Sequence, residues 1–133
     1  MDDLYRDLIL DHYRNPRNQG SLEPHDFSYE DENPLCGDKI RIDVRLDDQQ
    51  RVSEVAFTGR GCAISQASAS LLTEHIKGKS LAELKALTKE DLLELLGIDL
   101  GPVRLKCALL SLKVLKAGAY GLEGVTSESL LDE

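Results

Sequence analysis

The chain has 133 residues, of which 24 are acidic and 16 are basic, so its formal net charge is −8. This length suits a single domain covering residues 1–133. An acidic balance argues against nucleic-acid binding, which needs a basic face to displace counterions from phosphates. No apolar run approaches the roughly 20 residues of a membrane span, and Met1-Asp2-Asp3 does not open a signal peptide. We therefore expect a cytoplasmic protein that binds neither nucleic acid nor membranes.

The first quarter of the chain predicts one helix and a weak strand. Apolar spacing favours a helix over residues 4–14, with Tyr13 packing it onto the domain. Asn15-Pro16 ends this helix, because the residue before a proline avoids the helical region. In the polar segment that follows, Phe27 and Tyr29 alternate with polar residues, which indicates a weak edge strand.

Strict alternation over residues 39–46 is the clearest strand signal in the sequence. Four apolar residues on one face alternate there with charged residues: Ile40, Ile42, Val44 and Leu46. Residues 47–50 form a polar turn, and Val55 and Phe57 mark a returning strand. The two strands are predicted to pair as an antiparallel hairpin with one apolar face.

After Gly61 the apolar period lengthens from two to about 3.6 residues, which predicts helices. A long helix begins near Ile64 and stops at Gly78. Two capping boxes start short helices at Ser80 and Thr88. The second of these helices ends near Gly97.

Pro102 suits the first turn of a last helix. One face of that helix carries Val103, Cys107, Leu110, Val114 and Ala117, and the polar tail from about residue 121 is expected to fray. The predicted class is α+β: a small antiparallel sheet of two to three strands, with an N-terminal helix and a C-terminal set of helices packed on one face.

The three cysteines each lie where two predicted elements meet. Cys36 precedes the strong strand, Cys62 opens the long helix 26 residues later, and Cys107 lies 45 residues further on, early in the last helix. Three thiolates with a carboxylate, such as Asp38, are a full tetrahedral set for Zn²⁺, and thiolates also bind iron–sulfur clusters. Spacing alone leaves a plainer alternative open, because buried cysteines often act as small hydrophobic residues and no Cys-x-x-Cys pair is present.

Several motifs resemble those of the U-type iron–sulfur cluster scaffold family, which includes the IscU, SufU and NifU N-terminal proteins. They are Tyr13-Arg14-Asn15-Pro16-Arg17-Asn18-x-Gly20, Asn33-Pro34-x-Cys36-Gly37-Asp38, Gly61-Cys62-Ala63-Ile64-Ser65, Ala67-Ser68-Ala69-Ser70, Lys77-Gly78-Lys79-Ser80-Leu81 and Lys106-Cys107-Ala108-x-Leu110. The match runs in order through residues 4–118. No single motif is specific for this family, but the occurrence of all of them together is.

This resemblance implies a scaffold for iron–sulfur cluster assembly, which is a carrier and not an enzyme. It implies that Cys36, Asp38, Cys62 and Cys107 bind a cluster, expected to be [2Fe–2S], or Zn²⁺ in the isolated protein. Sulfur would come as a persulfide from a cysteine desulfurase, with Cys36, Cys62 and Cys107 as candidate acceptors. Acceptor or carrier proteins would take the finished cluster, and the scaffold would be a monomer or a weak homo-oligomer.

Three departures from the family pattern bear on whether the chain resembles the IscU or the SufU branch and on which partners it has. Lys106 stands where the IscU branch has a histidine, as in the SufU branch; it could assist sulfur transfer at Cys107 or simply be a solvated lysine. The 45-residue spacing before Cys107 lacks the SufU insertion and resembles IscU. Gly101 and Arg104 depart from the segment that IscU offers to an Hsp70-type chaperone, which weighs against that partner. The alternative function is a zinc-dependent persulfide acceptor for a cysteine desulfurase.

Overall fold

The computed structural model describes residues 2–33, 37–97 and 100–121. Cys36 and the tail predicted to fray lie outside these residues, apart from Gly121. In chain order the described elements are α1 (Asp2–Arg14), β1 (Phe27–Asn33), β2 (Asp38–Leu46), β3 (Val52–Arg60), α2 (Ala63–Ile76), α3 (Leu81–Ala86), α4 (Lys89–Leu96) and α5 (Pro102–Gly121). The predicted α+β class is confirmed.

The three strands form one antiparallel sheet in the order β1-β2-β3. The predicted hairpin is β2 and β3, with Lys39 opposite Arg60 at its open end. The weak edge strand is a full strand, β1, which pairs with β2 from Phe27 to Asn33. Its outer positions are polar, which is why the sequence signal was faint.

Helices cover the apolar face of the sheet. Helix α5 packs on β1 and β2, α2 packs on β3 and α5, and α1 lies against α2. Gly118 allows α5 to approach the edge strand closely, because a Cβ there would lie 2.6 Å from the Phe27 ring. The largest fully buried side chains are shared by sheet and helices: Phe57, Ile40, Ile42, Leu72, Ile76, Leu84, Leu92, Leu96, Leu112, Leu115, Val44 and Val114.

The predicted helix ends are confirmed. Ser80 Oγ accepts the Glu83 N–H at 3.2 Å while Glu83 accepts the Ser80 N–H at 3.0 Å, and Thr88 and Asp91 exchange the same pair of bonds. On α5, the buried face contains the expected Cys107, Leu110, Val114 and Ala117. The side chain of Val103 lies outside the description. None of the described helices is long and apolar enough to cross a membrane.

One hydroxyl fastens the N-terminal part of the chain to α2. Ser70 Oγ accepts the Arg17 N–H at 2.9 Å and lies 2.7 Å from His12 Nδ1. Burial lowers the pKa of His12, and the neighbouring positive charge of Arg17 lowers it further. The prediction for Tyr13 is wrong: its side chain is 43% exposed, because the adjacent His12 takes the inward position.

Candidate metal centre

Residues from three separate elements meet at one edge of the described fold. Asp38 is the first residue of β2, Cys62 directly precedes α2, and Cys107 lies in the second turn of α5. One ligand atom from each, two Sγ atoms and a carboxylate oxygen, lie within 4.8 Å of one another. The structure thus brings together three of the four predicted ligands; Cys36 lies outside the described residues.

The hairpin register explains why Asp38 and Cys62 are neighbours although 24 residues separate them. Lys39 pairs with Arg60, so the residue before Lys39 lies beside the residues after Arg60. Asp38 Oδ1 accepts the backbone N–H of Cys62 at 2.8 Å, and its Oδ2 lies 3.8 Å from Cys62 Sγ. The side chain of Asp38 is fully buried, which fixes the carboxylate next to the thiol.

Gly61 makes this approach possible. Its φ is +135°, and a Cβ at this position would lie 2.0 Å from Asp38 Oδ1 and 2.8 Å from Asp38 Cα. Any other residue would push the carboxylate away or shift the chain. In the sequence, Gly61 marks the change of period before the helix and opens the motif around Cys62, but its contact with Asp38 depends on the fold.

Cys62 occupies the N-cap position of α2 with extended backbone angles. The Cys62 side chain makes no capping hydrogen bond, and the N–H groups of the first turn of a helix favour negative charge beside them. The residue is partly exposed, whereas Cys107 is only 2% exposed. Of the two described cysteines, Cys62 is therefore the one that solvent and partners reach more readily.

The remaining predicted residue, Lys106, is exposed on α5 next to Cys107. The described histidines do not join the cluster of ligand atoms. His12 is buried against Ser70, and His25 Nδ1 lies 3.0 Å from the Leu22 carbonyl. The site chemistry among the described residues is therefore sulfur and carboxylate.

The donor set suits the cargo expected from the sequence. Zn²⁺ binds thiolate at about 2.3 Å and carboxylate oxygen at about 2.0–2.2 Å in tetrahedral sites, which places ligand atoms about 3.3–3.8 Å apart. Separations within 4.8 Å need only small side-chain rotations to reach that geometry. Thiolates are also the ligands that hold iron–sulfur clusters.

Known proteins are similar to this chain along nearly its whole length. The family model of the NifU-like N-terminal domain matches residues 4–128. The zinc-dependent sulfurtransferase SufU of Bacillus subtilis strain 168 is 39% identical over 141 aligned positions, covering 93% of this chain and 95% of the relative. The iron–sulfur cluster assembly scaffold protein IscU of Escherichia coli K12 is 37% identical over 121 positions, covering 85% of this chain and 89% of the relative.

Solved structures share the fold. A protein named as an iron–sulfur cluster assembly scaffold for the SUF system, from Fervidobacterium islandicum AW-1, superposes with a TM-score of 0.72 at 26% identity, covering 84% of this chain and 93% of that one. The N-terminal part of a nitrogen-fixing NifU-like protein from Brucella abortus has the same fold, with a TM-score of 0.72 at 22% identity over 92% of this chain and 96% of that one. The chain belongs to the NifU-like N-terminal domain family.

Proposed function

We propose that this protein is a scaffold on which an iron–sulfur cluster is assembled and from which it passes to acceptor proteins. The observation that carries the proposal is the convergence of Asp38, Cys62 and Cys107 from three separate elements. The proposal is also supported by the 37% identity of the chain to a protein named an iron–sulfur cluster assembly scaffold. The whole of residues 1–133 acts as one cytoplasmic domain, as a monomer or a weak homo-oligomer.

The cluster, [2Fe–2S] in this proposal, is the cargo of the site. Cys36, Cys62 and Cys107 supply three thiolates and Asp38 supplies the fourth ligand. A hard carboxylate oxygen is a weak partner for a soft cluster, so the Asp38 position is where the cargo detaches first. An all-thiolate site would hold the cluster too firmly for transfer.

Sulfur enters by thiol–disulfide exchange. The acceptor thiolate attacks the terminal sulfur of the desulfurase persulfide, the sulfur–sulfur bond breaks, and the desulfurase cysteine leaves as a thiolate. The reaction moves one sulfur atom without net oxidation. Cys36, Cys62 and Cys107 are the candidate acceptors, and the partial exposure of Cys62 favours it over the buried Cys107.

Anaerobic reconstitution with iron, cysteine, a cysteine desulfurase and a thiol reductant, which supplies the two electrons that turn each persulfide sulfur into the sulfide of the cluster, tests the scaffold function. The wild-type protein should gain visible cluster absorption and deliver the cluster to an apo-ferredoxin, whereas Cys62→Ser should do neither. Ser53→Ala is a matched control, because Ser53 is exposed on β3 and should leave assembly unchanged. A wild-type protein that forms no cluster without air would refute the proposal.

A second function is supported by a different observation. The chain is 39% identical to a protein named a zinc-dependent sulfurtransferase, and the exposed Lys106 directly precedes Cys107. In this alternative, Zn²⁺ orders the site and one cysteine takes the persulfide. Zinc-loaded protein should then stimulate desulfurase turnover strongly, chelated protein should not, and no cluster should reach an acceptor. Lys106→Gln should weaken the stimulation while leaving zinc content unchanged.

A further inference from the structure

We propose that Gln66 is a positioning residue whose side-chain amide donates a hydrogen bond to the thiolate sulfur of Cys62 when the site is loaded. The inference rests on the proposed metal or cluster site and adds a residue outside its ligand set. Gln66 is 7% exposed, and its Nε2 has no hydrogen-bond partner within the described part of the chain. A buried donor without a partner is costly, so a partner in another state of the protein is expected.

The position of Gln66 on α2 directs its side chain toward the site. Its backbone N–H donates to the Cys62 carbonyl at 3.2 Å, which places the two residues one helical turn apart on the same face. Helical side chains lean toward the N-terminus of their helix. The amide of Gln66 therefore extends toward the end at which Cys62 lies.

The neighbourhood of the amide is the strand pair that flanks Asp38 and Gly61. A Cβ on Gly59 would lie 3.4 Å from Gln66 Nε2 and 2.6 Å from the Lys39 carbonyl oxygen. Gly59 is two residues before Gly61, and Lys39 follows Asp38. Gln66 Nε2 thus lies near the end of the sheet at which the Asp38 carboxylate is held.

The sulfur of Cys62 needs hydrogen-bond donors when it ligates a metal or cluster. Asp38 Oδ2 lies 3.8 Å from the Cys62 sulfur. A sulfur that ligates a metal or cluster is a thiolate, which can only accept hydrogen bonds. Gln66 Nε2 is a buried donor without a partner among the described residues, so it can donate a hydrogen bond to this thiolate. A hydrogen bond to a ligating sulfur stabilises its negative charge and raises the reduction potential of a cluster.

Ser68 provides an internal comparison. Its Oγ is also buried without a hydrogen-bond partner in the described residues. Two residues along a helix turn the side chain by about 200°, so Ser68 faces away from the Gln66 direction. Ser68→Ala removes an unpaired buried polar atom of the same helix without touching the proposed hydrogen bond.

The first experiment compares Gln66→Met, which keeps the length but has no donor, with Ser68→Ala. We expect Gln66→Met to keep or raise the unfolding midpoint of the metal-free protein, to weaken zinc binding about tenfold, and to lower the cluster reduction potential. Ser68→Ala should leave zinc affinity and potential unchanged. A Gln66→Met protein with wild-type affinity and potential would overturn the inference.

The second experiment uses the wild-type chain, so it does not depend on how a variant folds. Cadmium-113 replaces zinc, and the side-chain NH₂ of Gln66 is followed by NMR. We expect a downfield shift of one amide proton and a scalar coupling between that proton and cadmium through the hydrogen bond. An unshifted, uncoupled NH₂ in a protein that has bound cadmium would overturn the inference alone, whereas a wild-type protein that binds neither metal nor cluster would overturn the proposed function.

Discussion

The carboxylate of Asp38 accepts the backbone N–H of Cys62 at 2.8 Å, so one side chain both closes the open end of the β2–β3 hairpin and orients the start of α2. An oxygen of the same carboxylate lies within 4.8 Å of the Cys62 and Cys107 sulfurs. Structure and chemistry are therefore coupled at Asp38: the group that positions the thiol is also a candidate ligand.

Replacing Asp38 by Asn separates these two roles. The amide oxygen of Asn can still accept the Cys62 N–H, but it carries no charge to offer a metal. We expect zinc affinity to fall by about tenfold or more, while the free energy of unfolding of the metal-free protein changes by less than about 1 kcal/mol. Competition with a chromophoric chelator and urea unfolding measure the two quantities. Equal zinc affinity in Asp38→Asn and wild type would show that Asp38 is not a ligand.

Gly61→Ala should displace Asp38 and damage the site. Its new Cβ would meet Asp38 Oδ1 at 2.0 Å, in a backbone conformation with φ +135°. We expect the free energy of unfolding to fall by about 2 kcal/mol or more and zinc binding to be lost or strongly weakened.

Gly20→Ala is the matched control for Gly61→Ala. Gly20 has a similar φ of +141°, but nothing lies within 4 Å of its Cβ position. In Gly20→Ala the free energy of unfolding should fall only by the amount that the backbone conformation costs, and the variant should still bind zinc. If both variants bound zinc equally, the close packing of Gly61 on Asp38 would have no part in metal binding.

Ser70→Ala should destabilise the fold without changing the site. Ser70 Oγ joins the Arg17 N–H and His12 Nδ1 in a buried position, and its loss leaves both without that partner. We expect the free energy of unfolding to fall by about 2 kcal/mol, measured by urea titration. Zinc stoichiometry of the folded variant should remain that of wild type. Stability equal to that of Ser53→Ala would contradict the anchoring role.

Asp43 predicts how stability responds to acid. Burial alone would raise the pKa of Asp43, but hydrogen bonds from Ser28, the Leu22 N–H and Arg41 outweigh burial, so its pKa is lowered. The unfolded chain then binds the proton more tightly than the folded one, and the stabilisation is complete above the unfolded pKa of about 3.9. It should be lost as the pH falls below about 4 and through the folded pKa.

Urea unfolding of metal-free protein between pH 6 and about pH 3 measures this effect. Asp43→Asn should have a smaller acid-dependent loss of stability than wild type. Ser53→Ala provides the control: Ser53 is exposed on β3 and carries no titratable carboxyl, so this variant should keep the wild-type acid response. Identical pH profiles for Asp43→Asn and wild type would refute the assignment.

Local patterns in the sequence predicted the elements well. The alternation around Ile42 and the capping boxes at Ser80 and Thr88 depend on neighbours a few residues away, so they can be recognised without the fold. The polar edge strand gave only a faint signal, because Phe27 is the one residue of β1 that is fully buried. Tyr13 was misplaced because helical periodicity does not decide which of two adjacent residues faces inward.

The site depended on tertiary contacts that no spacing reveals. Asp38 meets Cys62 only because β2 and β3 pair in one particular register, and Cys107 reaches them through the packing of α5 on β2. Spacing alone therefore left buried structural cysteines open as an alternative, and the family motifs were needed to choose the ligand set. The close contact of Gly61 with Asp38 and the Gln66 Nε2 donor, which has no partner in the described ranges, are packing details, so they could be found only in the structure.

The most direct test of the account is zinc K-edge X-ray absorption of the zinc-loaded wild-type protein. We predict a four-coordinate ion with three sulfur neighbours at about 2.3 Å and one oxygen neighbour at about 2.0 Å, and one sulfur fewer in Cys62→Ser or in Cys107→Ser. A shell of oxygen and nitrogen atoms alone, or spectra that do not change when these cysteines are replaced, would contradict it.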